Sequence, residues 1–292
     1  MTKINTERDL MLLCNRNRDG SFSTQAARRD ILSMVGRQVQ ELGFYNLPAT
    51  GLKQKHVFKL IEKWKADGLG DATLKNRVAH LRWVAEKIGK QNLIPRTNDE
   101  LGIGRRKYVT NVSKSVTVTD EALSKVKDER VRMSLELQKA FGLRREESIK
   151  FQPSYAMAGG ADSIQLKASW CKGGRERVLP VRTEYQRDVL ARAAALAGTG
   201  SLIPQDKSYV EQLKKYENTT TRAGLSKLHG LRHEYAQQRY KELTGWESPV
   251  NGGLTSRELT PEQKERDRVV RLIISEELGH SREAITAVYL GR

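Results

Sequence analysis

Several side chains spread along this sequence could act on a phosphate, and each does a different part of that chemistry. Arg144 closes a Gly-Leu-Arg run (Gly142–Arg144), with Glu147 three residues later to orient it. A guanidinium so held can grip an anion through two parallel N–H groups. Lys172 lies in Cys-Lys-Gly-Gly (Cys171–Gly174), where it could protonate a leaving oxygen or contact a base edge. His229 and Arg232 are three apart and share a helix face, pairing an imidazole donor or base with a second guanidinium. His280 follows Leu-Gly, and Tyr289 lies nine residues further on, a phenol that could serve as a nucleophile. Taken singly, each has an ordinary structural explanation: a helix-surface ion pair, a lysine in a turn, a surface His–Arg pair, a core tyrosine packed by Ile285, Val288 and Leu290.

The elements that must carry these residues can be read from periodicity and capping. Asp120 opens a helical stretch that splits near Asp128, and a short helix continues from Arg144 over residues 145–152. Ser163–Trp170 and Glu176–Val181 alternate like strands, with Cys171–Gly174 between them as a tight hairpin turn. Thr183, Ser208, His229 and Thr260-Pro261 each begin a further helix, residues 244–262 form a polar loop, and Ser281 caps a final short helix. On one straight helix, nine residues rotate about 180° and rise roughly 13 Å. His280 and Tyr289 can therefore meet on one phosphate only if the helix ends or bends before Tyr289; otherwise the tyrosine serves a neighbouring subunit.

Upstream, no strand pattern appears. One short apolar cluster, Leu10–Leu13, is followed by a helix capped by Ser23 or Thr24 and running to about Leu42. A second helix covers 52–66, and a third begins at Asp71 and stops at Gly89. Their outer faces carry Arg28 and Arg29, then Lys53, Lys55 and Lys59, then Lys75, Arg77 and Arg82, a distribution suited to tracking a phosphate backbone. Residues 91–119 lack a helical period and hold Pro95, Gly102, Gly104 and the cluster Arg105-Arg106-Lys107, as a basic linker would.

The whole chain of 292 residues has a formal charge of +17. Residues 1–110 carry 21 Lys and Arg against 11 Asp and Glu, and residues 111–292 carry 31 against 24. Both parts are basic, so a polyanion held between them is expected rather than one bound by a single tail. The two cysteines, Cys14 and Cys171, make neither a disulfide framework nor a zinc spacing. With no signal-like or membrane-length apolar run, an intracellular, cytoplasmic protein is expected.

In order, GLRREE, CKGGRERVLPV, HGLRHEYA and LGHSREAITAVYL resemble the tyrosine recombinase (phage integrase) family, whose pattern is Arg, hairpin Lys, His-x-x-Arg, Leu-Gly-His and a nucleophilic Tyr. The motifs span roughly residues 115–292, and the helical N-terminal part is similar to the family's core-binding domain. The resemblance implies a mainly α protein with a small β-sheet: an all-helical core-binding domain over 1–110, a linker to about 118, and an α+β catalytic domain over 119–292. It implies that Tyr289 attacks a DNA phosphodiester to give a 3′-phosphotyrosyl link. Arg144, Arg232 and His280 would stabilise the phosphate, Lys172 would serve as general acid, His229 would assist proton transfer, and Glu147 would be structural. DNA contacts are expected from Arg28, Arg29, Lys53, Lys55, Lys75, Arg77, Arg105, Arg106 and Lys107. No metal or other cofactor is implied. The implied partners are double-stranded DNA with specific recombination sites, three further copies in a homo-tetramer, and accessory DNA-bending or directionality proteins; a membrane is not among them. Integration or excision of a mobile element is the leading role, with dimer resolution and type IB topoisomerase-like relaxation as enzymatic alternatives and a catalytically silent DNA-binding protein as the non-enzymatic one. The sequence departs from compact members in the 48-residue interval from Arg232 to His280, whose surplus falls in 244–262. Only Leu290, Gly291 and Arg292 follow Tyr289, which leaves open how the segment around the tyrosine is docked; no arm-binding type of N-terminal domain is expected.

Overall fold

The computed structural model describes residues 5–105 and 108–292. The chain divides into two compact units, Met1–Lys107 and Tyr108–Arg292.

The first unit is helical: α1 (Thr6–Arg16), α2 (Phe22–Glu41), α3 (Gln54–Ala66) and α4 (Asp71–Lys87). Asn5 caps α1, its side chain accepting from the Glu7 amide at 2.8 Å, and Leu10 and Cys14 turn inward from that helix. The acidic and basic residues around its short apolar run hide its period in the sequence. Ser21, rather than Ser23 or Thr24, caps α2 through the Thr24 amide. Leu32, Val35 and Val39 of α2 meet Val57, Leu60, Ile61 and Trp64 of α3 and Leu74, Val78, Leu81 and Val84 of α4 in one apolar core. Asp71 is the first residue of α4, with Gly70 at the cap, and its carboxylate instead accepts from the Gly104 amide at 3.1 Å. The first part of the stretch read as linker is packed: Leu93, Ile94, Leu101 and Ile103 are buried in this core, on or just past two 3₁₀ turns too short to show a period.

The second unit begins with α5 (Asp120–Ser124), capped by Thr119, and α6 (Glu129–Phe141), capped by Asp128. Next come α7 (Arg145–Ile149), α8 (Pro153–Ala156), β1 (Ser163–Leu166) and β2 (Arg177–Pro180). The strands pair antiparallel with Ser163 opposite Pro180 and Leu166 opposite Arg177. Both are shorter than their alternation suggests, because the chain leaves the ladder at Lys167 and turns twice in 3₁₀ form, over Ala168–Trp170 and Lys172–Gly174. The connection is thus a broad loop rather than a tight hairpin turn, anchored by Trp170 against Phe151 and Tyr155. α9 (Glu184–Ala197), α10 (Tyr209–Arg222), α11 (Gly230–Thr244) and α12 (Pro261–Glu277) follow, the first two and the last with reciprocal capping boxes from Thr183, Ser208 and Thr260. The chain then forms a 3₁₀ turn, Glu283–Thr286, and a one-turn helix α13 (Ala287–Leu290). Ser281 does not cap this end; Arg282 stands at that position, and the Ser281 hydroxyl accepts from Arg175 at 3.1 Å. The fold is mainly helical with one two-stranded sheet, as the sequence reading expects. No helix among the described residues is long and apolar enough to cross a membrane.

Candidate active site

Four elements of the second unit converge on Tyr289. α6 ends at Gly142, whose left-handed φ of 61° reverses the chain; a Cβ there would stand 2.6 Å from the Tyr235 ring. The reversal makes Arg144 the cap residue of α7 and turns the Gly142 carbonyl toward α11. Arg232, in the first turn of α11, is 1% exposed. It donates from Nη1 to Gly142 O at 2.6 Å, from Nη2 to Leu278 O, and from Nε to the Tyr289 hydroxyl at 3.3 Å. Arg144 Nη2 donates to the same Leu278 carbonyl at 3.0 Å, so one backbone oxygen at the end of α12 gathers both guanidinium groups. A main-chain acceptor thereby pre-assembles the pair of cations that a phosphate oxygen would require.

The bend demanded between His280 and Tyr289 is present. After α12, Gly279 takes φ 66°, and the 3₁₀ turn and α13 replace a continuous helix. Across this kink His280 Nε2 lies 3.4 Å from the Tyr289 hydroxyl, within the same chain. Tyr289 itself is 6% exposed, and its main-chain oxygen accepts from Gln237 Nε2 at 3.1 Å. His229 is exposed at the start of α11, its ring centroid 6.3 Å from that of Tyr289.

The site is strongly cationic, and its histidines register this. Desolvation first, then Arg232, Arg144, Arg177 and Lys172, hold His280 down at about 4. Desolvation, then Arg232 and Arg144, also lower His229. Both imidazoles are therefore neutral near pH 7, in a field that favours an incoming anion. Burial pulls Arg232 down to about 10, which leaves it protonated under the same conditions. Lys172 is exposed on its loop and makes no hydrogen bond or ion pair to a described residue, although its charge reaches His280.

Glu147 is the orienting carboxylate, fully buried. It accepts from the Arg144 backbone N–H at 2.7 Å and from Arg144 Nη1 at 2.7 Å, and Arg177 donates to both its oxygens at 2.8 and 3.0 Å. Burial alone would raise its pKa, but the Arg177 hydrogen bonds and the charges of Arg177, Arg144 and Arg232 outweigh that and bring it to about 2. The stabilisation this represents is complete above the ordinary carboxylate range and is lost as pH falls through about 2. Glu147→Gln should therefore lower stability by about 3 kcal/mol at neutral pH by leaving two arginines underpaired. It should also flatten the acid side of the stability profile; chemical denaturation at several pH values between 3 and 7 measures both effects.

Two residues of this site were not singled out in the sequence. Arg177 looks like one member of an alternating strand, yet it ties the Lys172 loop to Arg144 through Glu147 and donates from Nε to Glu277 O at 2.9 Å. His233 is 5% exposed and packs its ring 4.7 Å from that of Tyr289, and its buried Nδ1 has no hydrogen-bond partner among the described residues. Desolvation first, then His229, Lys114 and Arg232, lower it to about 4. Its spacing of four from His229 was the available signal.

In the first unit, Arg29, Lys53, Lys55 and Arg105 are exposed, and Lys75 and Arg77 are half-buried, Arg77 lying 5.0 Å from the Trp64 ring centroid. Arg28 departs from expectation. It is buried, stacks 4.1 Å from the Trp83 ring centroid and pairs with Asp19 at 3.3 Å, so it braces the bundle instead of facing an open surface. Arg106 and Lys107 lie outside the described residues.

Comparison with known proteins places this frame in a class with an integrase-like fold. A lambda integrase dimer bound to a COC′ core site aligns with a TM-score of 0.62 at 14% identity, over 98% of this chain and 77% of that one. The Tn1549 transposon integrase (aa 82–397) with circular intermediate DNA aligns at 0.55 and 13%, over 99% and 96%. The XerH site-specific recombinase bound to difH aligns at 0.54 and 16%, over 97% and 80%. The sequence matches the phage integrase N-terminal family over residues 1–94 and the integrase family over residues 104–238. The chain thus carries a phage integrase N-terminal domain followed by an integrase domain, which together span most of its length. The matched regions include Arg144, Lys172, His229 and Arg232 and stop before His280 and Tyr289. No curated protein matches the sequence.

Proposed function

We propose that the protein is a site-specific DNA recombinase that cuts and rejoins strands through Tyr289. The observation that carries this reading is the Tyr289 hydroxyl lying 3.3 Å from the buried Arg232 Nε and 3.4 Å from His280 Nε2. A phenol in that position can attack a phosphorus whose non-bridging oxygens rest on Arg144, Arg232 and His280. The tyrosine oxygen forms a bond to phosphorus, the bond to the 5′-oxygen breaks, and a 3′-phosphotyrosyl link and a 5′-hydroxyl result. His229, neutral and near the ring, takes the phenol proton, and Lys172 delivers one to the departing 5′-oxygen. Lys172 on an exposed loop suits an acid that engages only when DNA is present. Attack by a 5′-hydroxyl on the phosphotyrosine reverses the steps and rejoins the strand, so the energy of the broken bond is retained.

Relatives of this fold have been solved as a dimer on a core site and as a tetramer on a Holliday junction. By that analogy the protein acts as a tetramer on two duplexes, with integration or excision of a mobile element as its role. The basic residues Arg29, Lys53, Lys55, Lys75, Arg77 and Arg105 supply sequence-independent grip on the DNA backbone. The test is covalent capture. The protein is incubated with fragmented DNA of its source, denatured and stripped of non-covalent DNA; the bound strand is sequenced and the linked peptide identified. The expected result is one recurrent DNA junction attached at Tyr289. Attachment at another residue, or none, overturns the reading.

A further inference from the structure

The loop 244–262 exceeds what the chemistry needs, and the structure gives it an occupant. Its 3₁₀ turn, Pro249–Asn251, packs against α13. A Cβ on Gly291 would stand 2.8 Å from Asn111 Oδ1, 3.0 Å from Val250 Cγ1 and 3.1 Å from Pro249 Cβ. Gly291 also adopts φ 76° and ψ −174°, a region essentially reserved for glycine. Its carbonyl accepts from Arg271 Nη1 at 2.9 Å; Arg271 is 2% exposed and is itself held by Asp267 through Nε at 2.8 and 2.9 Å. The backbone of Arg292 pairs with one side chain twice: its N–H donates to Asn111 Oδ1 at 3.0 Å, and its oxygen accepts from Asn111 Nδ2 at 2.9 Å. Asn111 takes φ 49°. The Arg292 side chain completes the enclosure on Glu283 at 2.9 and 3.1 Å.

These contacts all fall two or three residues beyond Tyr289. A four-residue helix has no stability of its own, so what grips its ends decides where its phenol lies. We propose that Asn111 and Arg271 are positioning residues for Tyr289: with the Pro249–Val250 turn they clasp the backbone just past the tyrosine and hold its hydroxyl on Arg232 and His280. The loop of 244–262 is then a seat, within one chain, for the segment that bears the nucleophile. This rests on the proposed role of Tyr289.

The informative variant is Asn111→Gly, which accepts the positive φ and deletes both hydrogen bonds at an exposed position. On the duplex recovered by covalent capture, nicked beside the junction, it should slow adduct formation at saturating DNA about tenfold, a loss in the range expected when a reacting group is misplaced. The DNA concentration giving half-maximal rate and the thermal midpoint should be unchanged, and hydrogen exchange in peptides covering 284–292 should rise. Gly291→Ala, strained at this φ and ψ and crowded by Asn111 and Val250, should slow adduct formation and raise exchange in the same way while also lowering the thermal midpoint. Arg271→Lys, which keeps a cation on Asp267 but loses the planar fork, should show the same split between rate and affinity. Faster exchange with a wild-type adduct rate, or no change in exchange, overturns the proposal. If the wild type forms no adduct at all, the recombinase reading fails, and the exchange measurement alone decides whether the clasp exists.

Discussion

Tyr289→Phe should form no covalent protein–DNA adduct while binding DNA as tightly as the wild type. The substitution removes one oxygen from a ring that is 6% exposed and packed beside His233, so the fold of the second unit keeps its shape. What goes is the atom 3.3 Å from Arg232 Nε and 3.4 Å from His280 Nε2. Binding depends on many basic side chains, whereas the covalent step depends on this one oxygen. The measurement is a denaturing gel of protein mixed with the captured duplex, nicked so that the cut end diffuses away and the adduct accumulates. Adducts at the wild-type rate would remove Tyr289 from the chemistry.

Arg232→Ala should reduce cleavage on the order of a hundredfold to a thousandfold, in line with the loss of one donor to a developing oxyanion. DNA affinity should change far less. The structure adds a second consequence. Arg232 is a buried strut between Gly142 O and Leu278 O, and its removal strands both carbonyls in a cavity. Each unmade hydrogen bond of that kind costs about 1–3 kcal/mol, so the alanine variant should also melt early. Arg232→Lys separates the two effects. A lysine keeps the charge and most of the volume but cannot reach three acceptors with a planar fork. It should fold better than the alanine variant and still cleave poorly. Equal losses in binding and cleavage for the lysine variant would make Arg232 a general phosphate contact.

The sequence was most legible where local chemistry is self-contained. Asp128, Thr183, Ser208 and Thr260 announce helix starts because a cap needs only the next three residues. The order of Arg144, Lys172, His229–Arg232, His280 and Tyr289 was visible for a similar reason, since each motif is a few residues long. What stayed hidden depends on partners far away in sequence. Arg177 acquires its place only by meeting Glu147, thirty positions earlier. Arg28 looks like any exposed arginine until Trp83 and Asp19 close over it. Leu93, Ile94, Leu101 and Ile103 have no period to display because they fill gaps in a core built by four helices. The boundary of the Lys172 loop was misjudged because alternation continues past Leu166, while Trp170 packs on Phe151 and draws the chain out of the ladder.

The span of the contacts around Tyr289 also bears on when, during synthesis, the proposed chemistry would become available. Asn111 meets Arg292 across 181 positions, Arg144 meets Leu278 across 134, and Arg232 meets Gly142 across 90. Contacts of such separation close large loops, are slow to form, and belong to the late stages of folding. During synthesis, domains emerge and fold from the N-terminus at about 5–20 residues per second. The basic first unit is therefore free to associate with nucleic acid well before α12 and α13 exist. A nascent chain has no phenol seated between Arg232 and His280, so on the proposed role of Tyr289 strand cleavage becomes possible only with the final turn of the fold.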